Sequence, residues 1–408
     1  MTAPRPVEPS ARGRIHLAAQ VSEVAFASFE RFARTAERGL FDFVLLGEEP
    51  AGGAHRDGVH DPEAAGGPEP LTVLNALVSV TARLGLAAPV DTTFNEPYEL
   101  ARRFATADRL SGGRAAWNVV SSSDATTGEN FRRGDFLGRT GPPRSGPSSS
   151  EPSRSGQFLS GRCPDRATAL ARAAEFVATA REVWDAWTPD GVSRPFVHRG
   201  RHFDIAGEFT VPRSPQGHPV VLRAGDSPVD REFAASAADV LLTLRGTPDA
   251  SRTLYADVKG RLARYGRGHD ELKIMPRAAF VLGATVAEAR EKATARDGRR
   301  AEDSFTMAEK GRSPAPEKGL PRRWAGSEDS DGLLFAGTPE SVAAEIDALV
   351  RTGAADGFVL VPHPTPGGLD EFVDRVVPLL QERGAFRTEY TGTTLRSHLG
   401  LPEPVWKG

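Results

Sequence analysis

An asparagine inside an apolar run is the first chemically informative residue of this chain. Ala115 to Val120 (AAWNVV) fits a strand covered on both faces, and Asn118 interrupts it. A buried amide must be hydrogen-bonded, so Asn118 needs either neighbouring backbone or a ligand, and the strand alone leaves both open. Other polar residues stand where apolar runs end: Glu48, Thr92, Thr93, Ser121, Asp226 and Ser227. Glu48 and Glu49 are adjacent, so their side chains point to opposite sides. Only one can face a common site, which argues against paired-carboxylate chemistry. His55 and His60, and His198 and His202, lack acidic or cysteine ligands at useful spacing and read as structural or surface histidines rather than a metal site. No HExxH, Walker lysine loop, or nucleophile elbow occurs. No catalytic residue is assigned from the sequence.

These residues need elements to position them. Apolar residues recur at helical spacing from Pro97 to Leu110, with Pro97 at a first helical position and Gly112-Gly113 as the stop. Phe26 to Arg38 places Phe26, Phe29, Phe32, Ala33, and Ala36 on one face, and Gly39 follows. Arg166 to Trp187 is a long amphipathic helix, with Trp184 and Trp187 packing it against the rest. Short apolar strands are expected at 15–20, 41–46, 84–90, 115–120, 220–224, 240–244, 273–282 and 357–361, with a small hairpin at 198–211. Strands alternating with helices predict an α/β fold, a (β/α)8 TIM barrel with insertions. An open doubly wound sheet is the rival, disfavoured because no GxGxxG follows a strand. In such a barrel the chemistry sits at the carboxyl ends of the strands, where the polar residues above fall.

The expected barrel domain spans 14–385, with Ser/Pro/Gly-rich 140–161 and charged 297–331 as flexible insertions. The tail, 386–408, is expected to pack on the barrel or at an oligomer interface. The chain has 408 residues, 39% hydrophobic, enough for one large barrel. Its 51 basic and 54 acidic residues give a net charge of −3, with no basic excess for nucleic acid or a membrane surface. Cys163 is the only cysteine, so no internal disulfide can form. No signal peptide or membrane span is read, and a cytoplasmic location is the default expectation.

Several stretches together resemble a known family. EPYELARRF, SGGRAAWNVVSS, and GENF are similar to flavin-dependent monooxygenases of the nitrilotriacetate and dibenzothiophene-sulfone monooxygenase type, in the bacterial luciferase-like superfamily. AERGLFDFVLL, REVWDAW, the run from His198 to Ser227, DVKGRLARYGR, GTPESVA, and DGFVLVP extend the similarity in order and spacing. The resemblance implies a luciferase-like barrel that takes FMN as FMNH2 from a separate NADH:FMN oxidoreductase. It implies O2 as co-substrate, a C4a-peroxyflavin, a small organic substrate, and a homodimer or homotetramer. By the same resemblance Glu48, Thr93, Asn118, Gly225, and Ser227 would bind the cofactor, with Ser227 near its phosphate. Ser227-Pro228 also reads as a helix start, where backbone N–H groups favour an anion. His16, on strand one, is a further candidate to approach the flavin.

The chain departs from the family pattern at three places. A His and an Arg-Tyr pair expected near the flavin are absent, and Ala169 and Leu170 stand at the Arg-Tyr positions. Arg223 replaces a glutamine, and Asp230 replaces a glycine. Asp226 and Asp230 would repel a phosphate by about a kcal/mol each if exposed, offset by Arg223 or Arg231, unless Asp230 forms a capping box with Ser227. The segment between strands seven and eight is short and polar, with its helical content expected to be lost. The alternative function is therefore a flavin-binding or interaction barrel with impaired catalysis.

Overall fold

The computed structural model describes residues 14–21, 25–47, 67–121, 166–244, 247–294, 333–361 and 368–406. Glu48, His55, His60, GENF, and the segments 140–161 and 297–331 lie outside the described residues.

Eight parallel strands close into a ring: β1 (His16–Val21), β2 (Phe43–Leu46), β3 (Gly85–Asp91), β4 (Ala115–Val120), β7 (Val220–Ala224), β8 (Val240–Thr243), β9 (Lys273–Leu282), and β11 (Gly357–Leu360). The first six pair in that order, β8 pairs with β9, and β9 and β1 both pair with β11. Helices α1 (Phe26–Arg38), α2 (Pro70–Val78), α3 (Pro97–Leu110), α4 (Arg166–Asp185), α5 (Pro228–Ala237), α6 (Pro248–Arg261), α7 (Pro339–Arg351), α8 (Gly368–Arg375), and α9 (Val377–Glu382) surround it. This is a TIM-type barrel. A hairpin, β5 (Phe196–Arg199) with β6 (Asp204–Gly207), sits in the expected insertion.

Alternation along each strand sorts the residues into two cores. Ala18, Phe43, Leu45, Ala87, Ala116, Val220, Leu222, Val240, Leu242, Met275, and Val359 fill the barrel interior. Their neighbours, such as Leu17, Val44, Leu86, Trp117, Val221, and Ile274, face the helices. The chain's end completes the interior: Leu395, Leu399, and Leu401, from the short helix α10 (Leu395–His398) and beyond, join the same inner cluster.

The amino ends of the strands share one device. Asp42, Asp239, and Asp356 immediately precede β2, β8 and β11 or stand one residue ahead of them. Their carboxylates accept the backbone N–H of Leu17 (2.9 Å), Val221 (2.8 Å) and Ile274 (2.8 Å) on the adjacent strand. Each fixes the register of a neighbouring pair. Arg387 pairs with Asp42, and Arg396 with Asp239 at 3.2 Å, so the tail is bolted to two of these aspartates.

Two expectations change here. The described part of the connection between β9 and β11 keeps regular structure. Residues 286–294 are helical, and β10 (Leu333–Gly337) and α7 follow. β9 is ten residues long and serves three partners in succession: β8, then β11, then β10 as a ninth strand outside the ring. The closing helix is broken into α8 and α9, because Pro378 cannot continue a helix and instead begins the next one.

Candidate active site

The carboxyl ends of β1, β3, β4, β7, and β9 carry the polar residues that converge on the mouth of the barrel. On β4, Trp117 faces outward. Its indole Nε1 donates to the carbonyl of Val90 at 3.0 Å, and its ring stacks on Phe104 and meets Phe176 edge-on. With Trp117 locked outward, alternation turns Asn118 inward, above Ala116 of the interior core. Asn118 is 7% exposed, and its Oδ1 has no hydrogen-bond partner among the described residues. Gln20 stands in the same situation on β1, inward by alternation with Ala18, with Oε1 buried and unpartnered among the described residues. Two buried amide acceptors without partners are a standing cost of about 1–3 kcal/mol each, which a ligand with N–H donors would relieve.

On β3, Thr92 binds the carbonyl of Val120 through its N–H (2.9 Å) and hydroxyl (3.1 Å), tying the strand's end to β4. Thr93, 6% exposed, follows in the turn, its N–H donating to the Asp91 carboxylate. Arg172 of α4 reaches over this turn. It donates to the carbonyl of Thr92 at 2.5 Å and lies on the Phe203 ring, 4.7 Å from its centre. Burial pushes its pKa below the usual guanidinium value. Arg277 alternates inward with Met275 on β9, and burial lowers it to about 10.

At β7 the chain turns through Gly225, with φ of 145°, into α5. Ser227 is the N-cap and Pro228 the first helical residue. Ser227 and Asp230 form a capping box. Asp230 is fully buried, and its carboxylate accepts from Arg223 Nε (3.2 Å) and Nη2 (2.8 Å), Arg166 Nη2 (2.6 Å), and Ser227 N–H (3.3 Å). Burial alone would raise this carboxyl. The Arg223 charge and the hydrogen bonds from Ser227, Arg223, and Arg166 outweigh it and hold it below the ordinary carboxylate range. Arg223 also donates to the carbonyl of Val119 at 2.8 Å. Arg231 turns away to Asp257, at 2.8 Å. Asp226 accepts the N–H of Leu244 at 3.0 Å.

A barrel with such a mouth hosts many chemistries, and comparison with known proteins narrows them. The sequence profile described as luciferase-like monooxygenase matches residues 10–356. The chain belongs to the luciferase-like monooxygenase family. It is 34% identical to nitrilotriacetate monooxygenase component A of Aminobacter aminovorans over 92% of this chain and 90% of that one. It is 32% identical to N-acetyl-S-(2-succino)cysteine monooxygenase of Bacillus subtilis (strain 168), with the same coverage. Among solved structures, the EDTA monooxygenase of Chelativorans sp. BNC1 shares the fold, with a TM-score of 0.74 at 24% identity over 97% of this chain and 100% of that one.

In this monooxygenase, Thr93, Asn118, Gly225, and Ser227 lie at the ends of three consecutive strands, β3, β4, and β7. Asn118 sits beside Pro89 and Leu222 in register. His16 is placed elsewhere. It opens β1 at the amino end, opposite the mouth, with its Nδ1 3.2 Å from the Asp42 carboxylate. The ring of His198 sits between Glu182 (2.9 Å) and Glu175 (3.5 Å), both from α4, which the spacing in sequence hid. Among the described residues no three His, Cys, Asp, or Glu side chains are grouped to hold a metal ion, and no helix is long and apolar enough to cross a membrane.

Sequence reasoning missed Gln20, Arg172, and Arg277. The strand alternation of Ala18-Ala19-Gln20 was the available signal for Gln20. Arg172 follows from no local pattern, because helix α4 reaches Thr92 only through the fold.

Proposed function

We propose that this protein is the oxygenase of a two-component system. It would bind reduced FMN at the barrel mouth, take O2, and oxygenate a small organic substrate. A separate NADH-dependent flavin reductase would supply the flavin. The observation that carries the reading is the pair of buried acceptors without partners among the described residues, Gln20 Oε1 and Asn118 Oδ1. Reduced flavin presents ring N–H donors along one edge, and amide acceptors match them. Thr93 adds a hydroxyl at the neighbouring strand end, and by the family resemblance Glu48 and Gly225 would be further cofactor residues. Bound flavin supplies the electrons and the oxygen activation. The chain's own part would be to hold the ring through Gln20, Thr93 and Asn118, and to keep water from the reacting face. Arg172 and Arg277 bring guanidinium groups to this end of the barrel, which suits an acidic substrate. The first relatives act on nitrilotriacetate and on N-acetyl-S-(2-succino)cysteine by name, and both compounds carry carboxylates.

Anaerobic titration with reduced FMN tests the reading, followed by oxygen uptake coupled to product formation with a flavin reductase present. Saturable binding is expected, and its absence would sink the proposal. One observation favours a second reading, a flavin-binding barrel with little turnover. Ala169 and Leu170 are buried in α4, 6% and 3% exposed, so no polar pair reaches the flavin from there. Binding without product from any of a panel of polycarboxylates would favour that reading.

A further inference from the structure

We infer that the Asp230 carboxylate fills the anion cradle at the amino end of α5, so that this chain takes reduced riboflavin about as readily as reduced FMN. The inference rests on the flavin reading of the mouth and goes beyond it to the form of flavin accepted.

Helix α5 begins at the carboxyl end of β7, the strand beside Asn118. If Ser227 lies near the flavin phosphate, as the resemblance implies, a ring over Asn118 would extend its tail across this neighbouring strand. The amino end of a ten-residue helix, opened by Ser227 and Pro228, is where a phosphate would find N–H groups and a favourable dipole. In this chain five donors at this turn are already given to the Asp230 carboxylate. Ser227 gives both its N–H and its hydroxyl to Asp230, Arg223 gives two N–H groups, and Arg166 gives a third guanidinium contact. They are the donors a phosphate would require.

Space and charge say the same. A Cβ built at Gly225 would stand 2.5 Å from the Asp230 carboxyl carbon, so the carboxylate sits directly against the turn. Arg223 is 6% exposed and anchored to Val119, so it cannot follow an incoming phosphate outward. Asp226, in the same turn, adds a second negative charge. A phosphate must therefore compete with a carboxylate that already holds five donors, of which only Arg166 is half exposed. The ring contacts at Gln20 and Asn118 do not depend on it.

Anaerobic titration of wild-type protein with reduced FMN and reduced riboflavin is expected to give dissociation constants within about threefold of each other. In D230G, and in D230N, which keeps the volume and removes the charge, reduced FMN should bind at least about tenfold more tightly, with reduced riboflavin little changed. Circular dichroism establishes that each variant is folded, and D230N carries the test if D230G is not. As a readout free of flavin, millimolar inorganic phosphate should raise the melting temperature of the folded variants and leave wild type unmoved. A wild-type preference for reduced FMN of tenfold or more overturns the inference, as do folded variants that gain no such preference. If neither flavin binds, the flavin reading fails, and the phosphate melts decide alone: equal stabilisation of wild type and variants means the cradle was never occupied by Asp230.

Discussion

At the scale of single residues, Asn118 separates a stabilising role from a binding role. A buried amide with an unmade hydrogen bond costs the folded state, and its neighbours on both sides are apolar. Replacing it with leucine, Asn118→Leu, removes the orphaned acceptor. Stability in urea should stay level or rise by up to about 1 kcal/mol, while reduced-flavin affinity should fall about tenfold, the worth of one good hydrogen bond. A variant that loses several kcal/mol of stability would show instead that the amide serves the core. Trp117 is the opposite case. Its indole is fully used by Val90, Phe104, and Phe176, so Trp117→Leu should unfold the strand's packing and lower stability by about 3 kcal/mol.

At the scale of elements, the turn from β7 into α5 combines a cap, a glycine, and a buried ion cluster within a few residues. Ser227→Ala removes the side-chain half of the capping box and should cost about 1 kcal/mol in thermal or urea unfolding. Gly225→Ala should cost more, about 2 kcal/mol or above. Its φ of 145° is disfavoured for any L side chain, and the new methyl would collide with the Asp230 carboxylate. If the two substitutions cost the same, the close contact over Asp230 is not what fixes this turn. The strand-capping aspartates make a parallel case. Sequence shows each as a lone charge beside an apolar run, and only the register reveals that each serves the adjacent strand.

At the scale of the whole molecule, the floor of the barrel is closed by the chain's own tail. Arg387 is 1% exposed against Asp42, which is fully buried. Arg387→Met strands that carboxylate without its cation and should cost about 3–5 kcal/mol, measured by urea denaturation at neutral pH. The same floor sets an acid response. His398 is 3% exposed, and burial depresses its pKa from 6.5 to about 4. The folded chain therefore binds a proton less readily than the unfolded chain between those values. Its contribution is whole above pH 6.5 and falls away as the pH drops toward 4, by about 3 kcal/mol in all. Burial would raise Asp42, but Arg387 and His16 hold it well below the ordinary range. Its contribution is therefore kept until the pH falls below about 4. Urea midpoints at pH 7 and pH 5 check this: the change between them should be less destabilising in His398→Leu than in wild type.

The sequence by itself determined the layers. Short continuous apolar runs and period-3.6 stripes marked all eight ring strands and most of the helices, because burial on both faces of a parallel strand leaves a local imprint. It also determined the helix start at Ser227-Pro228 and offered capping by Asp230 as one of two readings, which the structure decided. What tertiary structure alone decided is what those layers bring together. Gln20 and Asn118 became a pair of unpartnered acceptors only when β1 and β4 took their places in a closed ring. His16 moved to the floor because a strand has two ends, and composition does not say which end a residue opens. Arg166 reached Asp230, and Arg387 reached Asp42, across 64 and 345 residues of chain. No local pattern carries contacts of that span. They exist because closing the barrel brings distant segments to the same rim and the same floor.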